Sequence, residues 1–113
     1  MKVRNENVKT KEERKAAENA KAILARLTPS SARTDRMIFI LRYAANLVAS
    51  AALIRLESKK DLNAIREEAA RSLNAVCSLL DKRRLTQDAI DEANRAVTGW
   101  LKALPVGRQS AIS

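Results

Sequence analysis

This sequence of 113 residues contains no histidine. It has only one cysteine, two glycines and two prolines. The absence of His removes the commonest general base and a common metal ligand. Two glycines cannot build a phosphate-cradling loop, and one cysteine excludes an intramolecular disulfide and the usual zinc clusters. These absences predict a protein that is not an enzyme, carries no metal or cofactor, and takes no small-molecule substrate.

Turn-forming and aromatic residues are also scarce, since aromatics make up only 3% of the chain. Ala, Leu, Arg, Lys and Glu are abundant instead, which is typical of helices and not of sheets with many tight turns. The length fits one domain. We therefore predict an all-α fold, with a flexible basic lead-in at residues 1–9, a helical bundle at 10–105 and a flexible tail at 106–113.

The most apolar stretch of the chain is residues 37–56. As a helix it is apolar over most of its circumference, so several neighbours must cover it. This pattern predicts a small four-helix bundle with a long apolar second helix at its centre. Twenty residues could also span a bilayer, but a central Arg42 costs at least ~2.5 kcal/mol on insertion scales. A membrane is therefore an unfavoured partner, although contact of 37–56 with lipid stays open.

Capping and periodicity place the four helices at about residues 11–27, 30–57, 59–81 and 86–104. Thr10 and Glu13 have the form of a capping box at the start of the first helix. The second helix could begin at Pro29 or after Thr34 as its N-cap. No Gly or Pro separates the second and third helices, so a true turn at Ser58 and a continuous helix both remain open.

Apolar residues three or four apart define the predicted buried face of each remaining helix. Cys77 falls beside such a face and is expected to be a small core residue. In the last helix, Thr86 is the predicted N-cap and Gly99 lies on the polar side. A helix-turn-helix with a break near Asn94 is disfavoured, because the apolar phase continues across that point. The expected buried positions of the last helix are Ile90, Ala93, Val97, Trp100, Leu101 and Leu104.

Several polar and aromatic residues have simple expected placements. The phasing puts Glu12, Glu13, Glu67 and Glu68 on the surface. Base stacking is not supported by the sequence, because the three aromatic residues all lie in apolar stretches. Those residues are Phe39, Tyr43 and Trp100.

One polar stripe interrupts the apolar second helix. Arg42, Asn46 and Ser50 follow one another at intervals of four residues, which places them on one side of a helix. The stripe is either the solvent face of the helix or a polar seam in a homo-oligomer. In such a seam a residue like Asn46 would fix the register at some cost in stability.

The formal net charge is +9, and most of it comes from residues 1–36 and 58–85. Such a field either keeps the protein soluble or attracts an anionic partner. Phosphate contacts would use the first helix and the basic turn near residue 83. The candidate nucleic-acid-binding residues are Lys9, Lys11, Arg14, Lys15, Lys21, Lys82, Arg83 and Arg84.

Two functional classes follow from these observations. The favoured hypothesis is a small regulator or adaptor that binds another protein or a second copy of itself. The alternative is a basic accessory protein that binds nucleic acid. The first residues lack the apolar core of a secretory signal, so a cytoplasmic location is expected.

Overall fold

The computed structural model describes the backbone of residues 2–54 and 60–104, and the side chains of residues 11–50 and 62–104. Four helices and no strand are present in these ranges, which confirms the all-α prediction. The helices are α1 (Lys2–Arg26), α2 (Asp35–Ile54), α3 (Lys60–Asp81) and α4 (Gln87–Ala103).

The helices form a ring in which each packs against its two neighbours in sequence, with α4 closing onto α1. Arg33, in the α1–α2 connection, pairs with Asp81 at the end of α3. The two connections, residues 27–34 and 82–86, therefore lie at one end of the bundle, which we call the loop end. Neighbouring helices are consequently antiparallel, and the chain reverses direction between Ile54 and Lys60. A continuous second and third helix is thus excluded, while Ser58 itself lies outside the described residues.

The position of α2 differs from what its sequence suggested. It lies at one corner of the ring, in contact with α1 and α3 and diagonal to α4. Leu41, Ala44, Ala45 and Val48 face the interior and are fully buried. Two neighbours cannot cover the whole circumference of a helix, so part of its apolar surface faces outward.

Two predicted helix starts are wrong. The first helix begins at Lys2 and not at Lys11, because no Gly or Pro interrupts residues 2–10 and the side chain of Glu13 is bonded elsewhere. The second helix begins at Asp35 and not at residue 30. Its alternative start is confirmed, since Thr34 Oγ1 accepts a hydrogen bond of 3.2 Å from the backbone N–H of Met37.

The last two helices agree closely with the prediction. The Thr86 side chain caps α4 by accepting a 3.2 Å bond from the Ala89 backbone, and α4 continues without a break to Ala103. The helix-turn-helix alternative is therefore wrong. The end of α3 is a Schellman motif. The backbone N–H of Arg84 donates to the carbonyl of Leu79, and that of Arg83 donates to the carbonyl of Leu80.

Alanine is the most frequent residue of the described core. Ala16, Ala17 and Ala20 are buried on α1, and Ala93 is fully buried on α4. Alanine faces bring helix axes close together, and leucine, isoleucine, valine and Trp100 fill the rest of the core. Cys77 is confirmed as a core residue with no exposed surface, and burial raises the pKa of its thiol.

Gly99 weakens α4 without a packing reason. A Cβ built at this position meets nothing within 4 Å. We therefore predict that Gly99→Ala raises the free energy of unfolding by about 1 kcal/mol, because Ala restricts the unfolded chain and favours helix. Urea denaturation measures this change. The matched control, Arg95→Gly at an exposed position of α4, should lower the free energy by a similar amount, and a lower midpoint for Gly99→Ala would contradict the prediction.

Candidate functional site

The outward side of α2 carries two exposed aromatic rings. Phe39 is 69% exposed and Tyr43 is 48% exposed. The rings stack on each other, with centroids 6.2 Å apart and planes 18° from parallel. Both residues belong to an apolar stretch of the sequence, but their rings are exposed, whereas Trp100 is fully buried.

Helical geometry explains this exposure. At its corner of the bundle, α2 turns the side that carries Leu41 toward the interior. Phe39 and Tyr43 lie nearly opposite that side, because successive residues of a helix are rotated by about 100°. One and two turns further on, Asn46 and Ser50 continue the same row and are also exposed. We call the row formed by Phe39, Tyr43, Asn46 and Ser50 the aromatic face.

The predicted polar stripe overlaps this face. Asn46 and Ser50 belong to it, while Arg42 lies on the flank toward α3, where its Nη2 is 3.8 Å from Asp81 Oδ2. All three residues are exposed, so their role in an oligomer remains a prediction. What the sequence did not reveal is that they adjoin two uncovered aromatic rings.

A second flank of the face lies toward α1. There a groove between α1 and α2 is lined in equal parts by apolar side chains, including Ile23, Met37 and Ile40, and by polar ones, including Arg26 and Arg36. The aromatic face is thus continuous with further apolar surface and is bordered by positive charge.

Ion pairs at the loop end hold the start of α2 in place. Arg33 pairs with Asp81 and, at 2.9 Å, with Asp35. The hydrogen bonds to Asp81 and then to Asp35 raise the pKa of the Arg33 guanidinium. Because Arg33 and Arg42 share Asp81, the network connects the α1–α2 connection, α2 and α3. It thereby fixes the orientation of the turn that precedes Phe39.

The predicted basic residues fall into two separate groups. Lys82, Arg83 and Arg84 are exposed at the loop end. Lys11 lies fifteen residues before the end of α1, so the distance between them along the helix axis is ~22 Å at 1.5 Å per residue. The side chains of Lys11, Lys15 and Lys21 are exposed, Arg14 is half-buried, and the side chain of Lys9 lies outside the described residues. One compact phosphate-binding surface is therefore not formed by the whole set.

Details within each group also matter. Lys21 donates a 3.0 Å hydrogen bond from Nζ to Thr98 on α4, so it helps to join two helices. Arg83 has a φ of 59°, in the left-handed region that glycine usually occupies at a helix end. An arginine there costs about 1 kcal/mol relative to glycine.

Glu13 is buried, and the prediction of a surface position is wrong. Its carboxylate accepts a 2.7 Å bond from Trp100 Nε1, and Arg66 donates two further bonds of 2.8 and 3.0 Å. The side chain of Glu13 is only 6% exposed and that of Arg66 is 17% exposed. This triad joins α1, α3 and α4 across the interior.

A signal for the triad was present in the sequence. Glu13 precedes Ala16, Ala17 and Ala20 by three, four and seven residues, which places it on the buried face of α1. A buried indole N–H also needs an acceptor, so Trp100 on the apolar face of α4 required one. Among the described residues, no group of three or more His, Cys, Asp or Glu side chains could hold a metal ion.

Removal of Glu13 tests the structural role of the triad. Glu13→Ala should lower the free energy of unfolding by roughly 3–5 kcal/mol, because it leaves the Arg66 charge and the Trp100 N–H buried and unpaired. Thermal and urea denaturation measure the loss. The exposed neighbour provides the control, since Glu12→Ala should change stability by less than about 0.5 kcal/mol. Equal stability of the two variants would show that the triad contributes nothing.

Comparison with known proteins supplies no function for this arrangement. The sequence matches no family model, and neither the curated proteins nor the solved structures give a significant match. Within the described ranges, no helix combines the length and the hydropathy needed to cross a bilayer. The functional conclusion must therefore come from the exposed aromatic face, the basic groups and the chemistry of their side chains.

Proposed function

We propose that this chain acts by binding another protein through the aromatic face of α2. The observation that carries the proposal is the exposure of Phe39 and Tyr43 as a stacked pair. Full burial of a Phe side chain is worth about 1.5–3 kcal/mol relative to exposure. A single exposed ring would need no explanation, but two adjacent rings beside a groove form a patch, and such patches mark interaction sites.

The form of the face suits a helical partner. Its four residues lie on one line along α2, as do the anchors by which one helix lies against another. The groove beside Ile40 adds Ile23 and Met37 to the contact, and Arg36 and Arg42 can form a polar rim around it. Such a rim is typical of protein interfaces, in which apolar anchors are surrounded by charged residues.

A binding role without catalysis also suits the polar groups of the interior. Among the described side chains, the buried carboxylate is that of Glu13. Its oxygens accept hydrogen bonds from Arg66 and Trp100. Its oxygens are engaged in holding helices together and are not directed into a cleft. The proposal is therefore a small helical regulator or adaptor, and a cytoplasmic location remains a prediction.

Site-specific photo-crosslinking tests the proposed surface. A benzophenone amino acid in place of Phe39, in cells that naturally make this chain, should give a discrete protein adduct, because the ring would lie within an interface. The same residue in place of Glu92 provides the control, since this exposed position lies on α4, diagonal to α2. Gel mobility and mass spectrometry identify the adducts.

Further outcomes of this experiment separate protein binding from other causes. Adding Tyr43→Ser should reduce the adduct formed at position 39, and nuclease treatment should leave it unchanged. Equal adducts from positions 39 and 92 would contradict the proposal, as would an adduct that nuclease removes. Because both rings are exposed, Phe39→Ser and Tyr43→Ser should each change stability by less than about 0.5 kcal/mol.

Nucleic-acid binding is the second candidate function, and the loop end favours it. Lys82, Arg83 and Arg84 are exposed and form no ion pair with the described residues. Arg26 and Arg36 lie nearer to the loop end than Lys11 does, so they are the cations that sequence reasoning missed. Clustered free cations of this kind attract phosphates through counterion release.

Two matched triple variants test this second candidate. If the loop end binds phosphates, Lys82→Gln with Arg83→Asn and Arg84→Gln should weaken binding to DNA or RNA and reduce its salt dependence by up to ~0.9 log units per lost contact on duplex DNA. Asn is chosen at position 83 because it tolerates the positive φ. The second variant combines Lys11→Gln, Lys15→Gln and Lys21→Gln, and it removes the same number of positive charges from α1.

Titrations at about 50 and 200 mM salt compare the variants, since several phosphate contacts show over this range. Loss of binding in the first variant only would place the site at the loop end. Loss in the second variant only would place it on α1. Wild-type protein that binds no nucleic acid at the lower salt concentration would exclude this candidate.

A further inference from the structure

We propose that the partner of the aromatic face is a second copy of this chain, with α2 packed antiparallel against α2 of the other copy. The inference rests on the proposed function, because it names the protein that this face binds. It is carried by the spacing of the four residues, by their sizes, and by the distribution of charge around them.

The spacing of the aromatic face is that of a helix-packing seam. Phe39, Tyr43, Asn46 and Ser50 are separated by four, three and four residues. Phe39 and Asn46 are seven residues apart, as are Tyr43 and Ser50, and a seven-residue repeat keeps one side of a helix facing another helix along its length. All four side chains are exposed. The described part of α2 thus presents an uncovered seam ~17 Å long at 1.5 Å per residue.

The sizes of these side chains favour the antiparallel orientation. Two large residues, Phe39 and Tyr43, are followed by two smaller ones. A twofold axis between Tyr43 and Asn46 places Phe39 opposite the partner's Ser50 and Tyr43 opposite the partner's Asn46. Every large side chain then meets a smaller one, which allows close packing. A parallel pair would instead place Phe39 and Tyr43 against their own copies and leave small residues facing each other.

The flanks of the seam are compatible with the same arrangement. In an antiparallel pair, each flank meets the corresponding flank of the other helix. Ile40 then lies beside the partner's Leu47, and both side chains are half-buried within their own copy. On the other side, Arg42 lies beside the partner's Ala49. The small Ala leaves room for the Arg42 guanidinium to remain near Asp81.

The distribution of charge further distinguishes the two orientations. At the loop end, Arg26, Arg33, Arg36 and the basic residues 82–84 outnumber Asp35 and Asp81, so the local charge is positive. The antiparallel pair places the two loop ends ~28 Å apart, from the 1.5 Å rise per residue of α2. This separation exceeds the Debye length of about 8 Å at physiological salt. A parallel pair would hold the two loop ends side by side, where like charges repel.

Sedimentation equilibrium of the full chain, together with an exchange of side-chain sizes, tests the proposal. One helix face lies at the small end of specific interfaces, so the expected dimer dissociates in the micromolar range. Phe39→Ser should weaken the dimer about a hundredfold, because both copies lose a ring from the interface. Ser50→Phe alone should also weaken it, since it places one large ring against another.

The double variant Phe39→Ser with Ser50→Phe gives the decisive comparison. Its antiparallel dimer again places a large side chain opposite a small one, so its dissociation constant should return to within about tenfold of the wild-type value. In a parallel dimer, positions 39 and 50 do not face each other, so the effects of the two substitutions would simply add and the double variant would not recover beyond that sum. Circular dichroism of each variant checks that the helices are retained, and both substituted positions are exposed in the monomer.

The outcomes separate this inference from the proposed function. Weakening by each single variant and recovery in the double variant support the antiparallel dimer. A wild-type chain that remains monomeric at about 500 μM, well above the micromolar range, overturns it. So does a dimer that Phe39→Ser leaves unchanged, or a double variant that does not recover. A monomer that still forms a discrete adduct with another protein from position 39 would overturn the dimer and support the proposed function. A monomer without any such adduct would contradict both.

Discussion

The bonds that Glu13 accepts are the constraint on which the rest of the bundle depends. Its carboxylate meets Arg66 from α3 and Trp100 from α4, so one charged group sets the relative positions of three helices. Alanine faces alone leave helix register weakly specified, because small side chains pack acceptably at several offsets. A bidentate ion pair and an indole N–H permit far fewer helix offsets, since any shift of one helix leaves a buried polar group unpaired.

The position of α2 depends on different interactions. It is not part of the triad, and its connection to the bundle uses apolar contacts and the ion pairs of Arg33 and Arg42 with Asp81. Burial of Leu41, Ala44 and Val48 sets the rotation of α2 about its axis, and the exposed ion pairs with Asp81 add only modestly to its attachment. The outward direction of Phe39 therefore follows from the packing of the opposite side of α2. The aromatic face is thus held on a helix and not on a loop.

Particular residues show how far the sequence predicts this structure. Thr86, Cys77 and the buried face of α4 follow from local capping and periodicity, and the structure confirms them except for Leu101, which is half-buried. The placement of Glu13 could have been inferred from its phase with Ala17. The exposure of Phe39 could not, because periodicity shows which residues share a side of a helix and not which side has neighbours. Which side has neighbours depends on how the four helices are arranged in the bundle, and that arrangement is a tertiary property.

The two candidate functions use different surfaces, and this separation follows from the packing. The aromatic face lies on the outer side of α2, whereas Lys82, Arg83 and Arg84 lie at the loop end. Association through α2 would leave the loop end uncovered, because the axis of the proposed dimer passes between Tyr43 and Asn46. An antiparallel dimer would then present two basic ends facing away from each other. Self-association and phosphate binding are therefore compatible in one molecule, and the strained backbone of Arg83 remains exposed in either case.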